Sequence, residues 1–276
     1  MNAMRIVLVQ HPHIEKSEET AKRVTEILRS CPAETVCVPF EEAKSAIPEA
    51  DVAIALGGDG TMIHVAKIAA QTNVPLLGIN CGNLGFMAGM EADNLSDLPR
   101  LISGDYTLDK RRMLTVTVTK ESGEVLHIAA LNEVAVSRGI GTHTATFTLS
   151  DSDRKLATYA ADGILVATPT GSTAYSLSAG GPIVDPQVDC FVVTPICPNV
   201  LTARPIIIHA DADLTLRLSP RHEDDDLYLS ADGEPAIAVT KADVIRIRRH
   251  EQTADFIRFT PGAFYETLRT KMLDRT

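Results

Sequence analysis

Ile54-Ala55-Leu56-Gly57-Gly58-Asp59-Gly60-Thr61-Met62-Ile63 is the stretch on which the reading of the fold turns. An apolar run over residues 52–56 stops at the glycines, and a helical pattern then carries Met62, Ile63, Ala66, Lys67 and Ala70. The order is strand, glycine turn, helix. Three glycines in four positions remove the Cβ atoms that keep a phosphate off the backbone, and a helix start offers unpaired N–H groups to an anion. The functional reading is a phosphate cradle. Asp59 is the odd member, because a carboxylate repels phosphate unless it takes a proton from an attacking hydroxyl or holds Mg2+ against the phosphates. A strand-to-helix turn capped by Asp59 or Thr61 fits the same letters. The loop matches neither G-x-x-x-x-G-K-[ST] nor a full G-x-G-x-x-G, so it implies neither a P-loop NTPase nor a Rossmann dehydrogenase.

Outward from this loop, residues 5–9, 35–38, 51–56 and 76–79 read as strands. Between the first two, Ser17 is placed to cap an amphipathic helix with Glu18 and Glu19 in its first turn and Ala21, Val24, Ile27 and Leu28 on one side. Cys31-Pro32 stops it. Alternating strands and helices predict a mostly parallel sheet that binds ligands at the carboxyl ends of its strands. A short helix then carries Leu95, Leu98, Leu101 and Ile102.

From Met113 the texture changes: Leu114, Val116 and Val118 alternate with Thr115, Thr117 and Thr119, and Ala145, Phe147 and Leu149 alternate with polar residues. Further strand-like runs lie at 125–131, 164–167, 191–194, 206–209, 214–218, 237–239, 244–248 and 256–259. So many short strands predict two packed sheets. The expected division is an α/β nucleotide-binding domain over residues 1–103, completed by a helical tail at 262–276, and a β-rich domain over 104–261.

The chain has 276 residues, 45% of them hydrophobic, enough for a full core in one or two domains. A net charge of −10, with Lys110-Arg111-Arg112 the one basic run, argues against a nucleic-acid or anionic membrane surface and leaves a small anionic ligand open. The apolar start before His11-Pro12 is too short for a signal or a membrane span, so a cytoplasmic location is expected. The five cysteines form no C-x-x-C pair and are expected to be reduced and mostly buried, without a zinc site. His11-Pro12-His13 reads as a surface turn, His64 as a partly buried helix histidine, and His222-Glu223-Asp224-Asp225-Asp226 as a solvated hairpin tip rather than a calcium loop.

One segment of the β-rich half departs from strand. Asp162-Gly163 and an apolar run lead into Thr168-Pro169-Thr170-Gly171-Ser172-Thr173-Ala174-Tyr175-Ser176-Leu177-Ser178-Ala179-Gly180-Gly181-Pro182. Ser172 or Thr173 is placed to start a short helix facing a ligand, and hydroxyls with open amides suit ribose and pyrophosphate; a capped turn that needs small residues is the alternative. Asn132-Glu133 sets donors, acceptors and a carboxylate side by side, although alone it reads as a strand-end turn.

Together the three segments resemble the NAD kinases, whose signatures are Gly-Gly-Asp-Gly-Thr, then Asn-Glu or Asn-Asp, then the long block that ends in Ala-Gly-Gly-Pro. The chain is also similar to that family at residues 78–86 and at Leu268-Arg269-Thr270-Lys271, so the resemblance covers nearly all of it. Gly-Gly-Asp-Gly-Thr by itself also occurs in lipid kinases, whereas Thr-Pro-Thr-Gly-Ser-Thr-Ala-Tyr is far more specific. The resemblance implies phosphorylation of the 2'-hydroxyl on the adenosine ribose of NAD, giving NADP, with ATP or polyphosphate as donor and Mg2+ as cofactor. It implies Asp59 as general base and Gly57, Gly58, Gly60 and Thr61 on the ATP phosphates. Asn132 would meet the adenine and Glu133 the ribose, with Thr170, Thr173, Ala174 and Tyr175 continuing the adenine side. Asp162 and Ser178 would lie toward the nicotinamide half, and Gly60, Phe86 and Cys197 also fall among the NAD-binding residues; no fixed protein ligand is assigned to the metal.

The family further implies an α/β N-terminal domain, a β-rich C-terminal domain, a site in the cleft between them, and a homodimer or homotetramer whose neighbouring subunit adds to the NAD pocket. The chain departs from the family pattern in having Ala160-Ala161 for Arg-Gly, Glu234 for Gln after Asp232-Gly233, and Asp274 where an aromatic often follows Leu273. Two other readings remain, a lipid or sphingoid kinase and a non-catalytic NAD(P) sensor. The polar run at 170–178 weighs against the first, and the intact Asp59 and Asn132-Glu133 weigh against the second.

Overall fold

The computed structural model describes residues 3–82, 85–140, 143–222, 226–260 and 262–273, and expectations resting on residues 83–84, 223–225 and 274 lie outside them. The chain forms two compact units, Met1–Arg111 with Gln252–Thr276, and Arg112–Glu251.

The first stretch runs β1 (Met4–Gln10), α1 (Glu15–Leu28), β2 (Ala33–Pro39), α2 (Ala43–Ala46), β3 (Val52–Gly57), α3 (Asp59–Thr72), β4 (Leu76–Asn80), β5 (Met90–Glu91), α4 (Arg100–Ser103) and β6 (Thr107–Arg111). β3 and β4 are buried along their whole length, as parallel strands covered on both faces must be. α1 buries Ala21, Val24 and Leu28 on one stripe. The expectation that Ser17 caps α1 is corrected: Ile14 holds the cap position and Ser17 lies inside the helix. Its hydroxyl instead donates to Leu56 O at 2.9 Å and accepts the His11 N–H at 3.2 Å, which ties α1 to the end of β3. The expected helix around Leu95 to Ile102 is helical only across Arg100–Ser103.

The second unit runs β7 (Leu114–Thr119), β8 (Val125–Ala130), β9 (Glu133–Arg138), β10 (Ala145–Asp151), β11 (Arg154–Ala161), β12 (Gly163–Ala167), α5 (Tyr175–Ser178), β13 (Cys190–Ile196), β14 (Ile206–His209), β15 (Leu214–Ser219), β16 (Leu227–Ala231), β17 (Ile237–Val239) and β18 (Val244–Arg249). They build two six-stranded sheets, β11-β10-β15-β18-β7-β8 and β14-β13-β12-β9-β16-β17. Val116, Phe147, Leu216 and Ile245 of the first share one core with Val136, Val166, Phe191 and Leu229 of the second. The alternation along β7, with every second residue buried, is what such a core demands of an antiparallel strand.

The chain then adds β19 (Ala254–Arg258), α6 (Ala263–Leu268) and a π-helical turn, Arg269–Leu273. The first unit's seven-stranded sheet has the order β2-β1-β3-β4-β19-β6, with β5 also on β4. β19 runs parallel to β4 and antiparallel to β6, so the sheet is mostly parallel. Residues 107–111 and 254–258, expected within the β-rich domain at 104–261, therefore lie in the first unit; for 254–258 pairing partners decide this, and strand-like texture does not show them. The basic run is taken apart by strand alternation: Arg111 pairs with Asp109 at 2.6 Å, Lys110 faces Asp255 at 3.9 Å, and Arg112 pairs with Asp189 at 2.6 Å. All five cysteines are free; Cys81 and Cys190 are buried, but Cys37 and Cys197 are exposed, against the expectation of mostly buried thiols. No helix among the described residues is long and apolar enough to cross a membrane.

Candidate active site

β3 runs directly into the glycine loop. Gly57 ends the strand, Gly58 is the cap residue of α3 in extended geometry (φ −96°, ψ −173°), and Asp59 is the first helical residue. A Cβ on Gly57 would lie 2.3 Å from Thr61 Oγ1, whereas one on Gly58 or Gly60 would meet no protein atom within 4 Å. Gly57 thus lets the loop close on the helix, and the other two leave its face as bare backbone. Met62 N–H to Gly58 O at 3.1 Å joins the start of α3 to the loop, and the N–H groups before Met62 belong to the first turn, where a helix has no acceptors for them.

Asp59 does not cap α3. Its carboxylate turns toward the loop after β4, where Oδ2 accepts the Phe86 N–H at 3.1 Å and Oδ1 the Met87 N–H at 3.3 Å. A Cβ on Gly85 would stand 2.1 Å from Asp59 Oδ1, so the chain at residues 85–87 is shaped around that carboxylate. Behind this loop lies a buried charge cluster. Arg258, 8% exposed, donates to Met87 O at 2.8 Å, to Ala88 O at 2.6 Å and to Asp109 Oδ2 at 3.1 Å. Arg111 donates to the same Asp109 oxygen at 2.8 and 2.6 Å. Burial raises the Asp109 carboxyl, but the two guanidiniums outweigh it and hold it below the usual carboxylate range. Burial, and then the charge of Arg111, bring Arg258 down to about 10 against the pull of Asp109 and Asp59. Phe86 is half-buried, its ring 6.3 Å from Phe264 of α6.

Asn132 and Glu133 open β9 rather than closing the strand before it, and both are buried. Among the described residues Asn132 Oδ1 and Glu133 Oε2 are buried acceptors without a hydrogen-bond partner. The hydroxyl-rich loop crosses them closely: Thr168 N–H donates to Asn132 O at 2.8 Å, Thr168 Oγ1 to Leu131 O at 2.6 Å, and Gly171 N–H to Thr168 Oγ1 at 3.1 Å. A Cβ on Gly171 would lie 2.2 Å from Asn132 O, so only glycine permits this approach. Thr170–Thr173 forms a 3-10 turn ahead of the four-residue α5, and neither has a side-chain cap. The expectation that Ser172 or Thr173 begins a ligand-facing helix is therefore corrected. Ser172 Oγ donates to Pro169 O at 2.6 Å and accepts the Val184 N–H at 3.0 Å, while Thr173 Oγ1 donates to Thr170 O at 3.3 Å, so both hydroxyls serve the loop itself. Ala174 precedes α5; the Tyr175 side chain is 45% exposed, its backbone N–H bonds Glu133, and Ser178 is exposed at the end of the helix. Burial, and then the negative charge of Asp232, push Glu133 up to about 7 against the Tyr175 N–H.

Asp232 itself sits in a two-residue turn. Asp232 and Gly233 both have positive φ (51° and 73°), and Glu234 N–H bonds Ala231 O at 2.9 Å, the I′ geometry that Asp-Gly favours. The Asp232 carboxylate accepts three backbone N–H groups, from Leu131 at 2.8 Å, Asn132 at 2.7 Å and Glu133 at 3.2 Å.

At the other end of β9, Arg138 forms a two-pronged pair with Asp162 at 2.8 and 3.2 Å. Asp162 N–H bonds Ile196 O, beside the exposed Cys197 (φ 45°). The Glu133 and Arg138 ends of β9 lie roughly 17 Å apart at ~3.4 Å per residue. In the first unit His64 stacks on Phe40 at 4.0 Å, and His13 N–H bonds His11 Nδ1 at 3.3 Å within a local turn. Among the described residues no three His, Cys, Asp or Glu side chains gather for a metal. The Phe86 and Met87 amides, Asp232 and Arg258 were missed from sequence; the one signal for any of them was the turn-forming Asp232-Gly233.

A glycine loop of bare backbone, with a carboxylate turned away from the helix it opens, suits phosphoryl transfer. The description of the ATP-NAD kinase N-terminal domain matches residues 41–106, and that of the ATP-NAD kinase C-terminal domain matches residues 131–259. The NAD kinase of Symbiobacterium thermophilum is 44% identical over 225 residues, covering 81% of this chain and 79% of that protein. The NAD kinase of Caldanaerobacter subterraneus subsp. tengcongensis is 39% identical over 236 residues, covering 85% and 83%. The fold is that of yeast NADH kinase, solved as a complex with NADH (TM-score 0.89, 23% identity, 100% of this chain and 89% of that one). It is likewise that of an Archaeoglobus fulgidus NAD kinase solved with ATP (TM-score 0.78, 24% identity, 97% and 99%). The chain belongs to the NAD kinase family and is an enzyme of that family.

Proposed function

We propose that the enzyme transfers the terminal phosphoryl group of ATP to the 2'-hydroxyl on the adenosine ribose of NAD, giving NADP and ADP. Asp59 takes the hydroxyl proton as the new O–P bond forms and the bond to the ADP oxygen breaks, a role typically worth about 10² to 10⁴ in rate. The observation that carries this reading is the Asp59 carboxylate, half-exposed and steered by the Phe86 and Met87 N–H groups at the mouth of the glycine loop. The backbone of Gly57, Gly58, Gly60 and Thr61 supplies N–H donors, which suit phosphate oxygens. A divalent ion such as Mg2+, carried on those phosphates without a fixed protein ligand, would offset their charge.

For the acceptor, Asn132 Oδ1 and Glu133 Oε2 call for a ligand rich in N–H and O–H donors, as an adenine amino group and ribose hydroxyls are. Tyr175 offers an exposed ring beside them, with Thr170, Thr173 and Ala174 on the same loop. The Asp162 and Arg138 end, with Cys197, suits the nicotinamide half of a dinucleotide; Ser178 and Phe86 complete the assignment. A lipid pocket would not leave two buried acceptors open. We further assign the enzyme to the cytoplasm as a dimer or tetramer. Incubation with NAD, Mg2+ and ATP or polyphosphate, with NADP read by a coupled dehydrogenase, tests the reaction and its donor. Absence of NADP with either donor would overturn the proposal.

A further inference from the structure

We propose that Asp232 is the positioning residue of the nucleoside half-site, fixing the Asn132 and Glu133 acceptors from the far side of the turn. The inference rests on the proposed function for its ligand but on geometry for its substance. A carboxylate that accepts three consecutive amides determines the path of the backbone at Leu131, Asn132 and Glu133, and through it the directions of two side-chain oxygens, Asn132 Oδ1 and Glu133 Oε2, that no described group satisfies. The return bond, Asp232 N–H to Glu133 O at 3.0 Å, locks the turn to the strand from both sides. Ala231 pairs with Val134 one step along, so the β16 ladder delivers Asp232 to the start of β9.

Asp232 also places a negative charge against Glu133. The charged group facing Glu133 comes from the turn after β16, and α5 contributes the opposing Tyr175 N–H. A ribose hydroxyl donates a charge-assisted bond to Glu133 only when the carboxyl is ionised, so the neighbour that aims Glu133 also makes nucleoside binding weaken toward acid. With Glu133 at about 7, the KM for NAD should rise by up to about 10-fold between pH 8 and pH 6, while the KM for ATP should not follow it.

Asp232→Asn separates the two contributions. Asn tolerates positive φ and keeps one carbonyl oxygen for the amides, so the variant retains the turn while losing the charge. Its KM for NAD should change less over the same pH span than that of the wild type, with the part due to burial retained. Asp232→Glu keeps the charge on a longer arm that cannot reach all three amides, so its KM for NAD should be raised at every pH with the slope preserved. The carboxyl carbon of Glu133, assigned in a ¹³C-glutamate spectrum by its loss in Glu133→Gln, reads the same effect without any ligand. Its midpoint should move toward acid in Asp232→Asn. An unmoved midpoint overturns the inference. A moved midpoint with no change in NAD binding retains Asp232 as the group that sets Glu133 and removes the nucleoside from the proposed function.

Discussion

Asp59 in the first unit and Glu133 in the second are both carboxylates held by backbone amides, yet they are handled in opposite ways. Asp59 has each oxygen met by an N–H and stays half-exposed. Glu133 is 7% exposed, faces a second carboxylate, and keeps Oε2 unmet. Under the proposed function the difference separates chemistry from recognition. A proton acceptor must be aimed, and two amides aim it at little cost; a recognition group must hold an acceptor open, and an open buried acceptor costs about 1–3 kcal/mol until a ligand arrives.

If the division is right, damage on each side should register in a different kinetic constant. The largest effect belongs to Asp59→Asn, which keeps the shape but cannot take a proton: kcat should fall about 10² or more with NAD binding, measured by calorimetry, nearly intact. Near-normal turnover would remove the general-base role. Gly85→Ala should approach the same loss in kcat, because a Cβ 2.1 Å from Asp59 Oδ1 must displace the carboxylate, and misplacement of about 1 Å can cost about 10²-fold. Gly171→Ala, whose Cβ would press on Asn132 O at 2.2 Å, should act instead on the KM for NAD and on thermal stability, by about 1–3 kcal/mol. Should Gly85→Ala raise the KM for NAD while leaving kcat alone, the comparison breaks.

Glu133→Ala removes a charge-assisted contact of about 1.5–3 kcal/mol and should raise the KM for NAD about 10- to 100-fold, far more than that for ATP. The smallest effect is on stability. The folded Glu133 value lies above the unfolded one, so the native state binds the extra proton; this contribution is full below about 4.5 and is lost as pH rises through about 7. Unfolding free energies of the wild type, from denaturant titrations, should therefore fall relative to Glu133→Gln across that window, by a few kcal/mol at most. Parallel curves would mean that Glu133 titrates normally.

The parts read correctly from sequence are those written locally. The strand-to-helix turn at Gly57 and Gly58 and the alternation of β7 each show their pattern within a few residues. What escaped is held by partners far along the chain: Asn132 meets Asp232 across 100 residues and Asp109 meets Arg258 across 149. Serine misled for a related reason. Ser17 and Ser172 have the composition of helix caps, but distant carbonyls and amides, Leu56 O and Val184 N–H, compete for their hydroxyls and win. The assignment of residues 254–258 fails likewise, since strand-like texture is the same in either unit.

The place of β19 between β4 and β6 has a consequence for biosynthesis. Residues 112–251 leave the ribosome as one uninterrupted piece, with every strand of their two sheets in hand. The sheet that carries Asp59, by contrast, has a gap until residues 254–258 emerge, so β6 waits without its partner strand and the Leu76 end of β4 without its own through more than half of translation. The inserted unit is thus ready to mature first, and the catalytic sheet is completed by one of the last strands made.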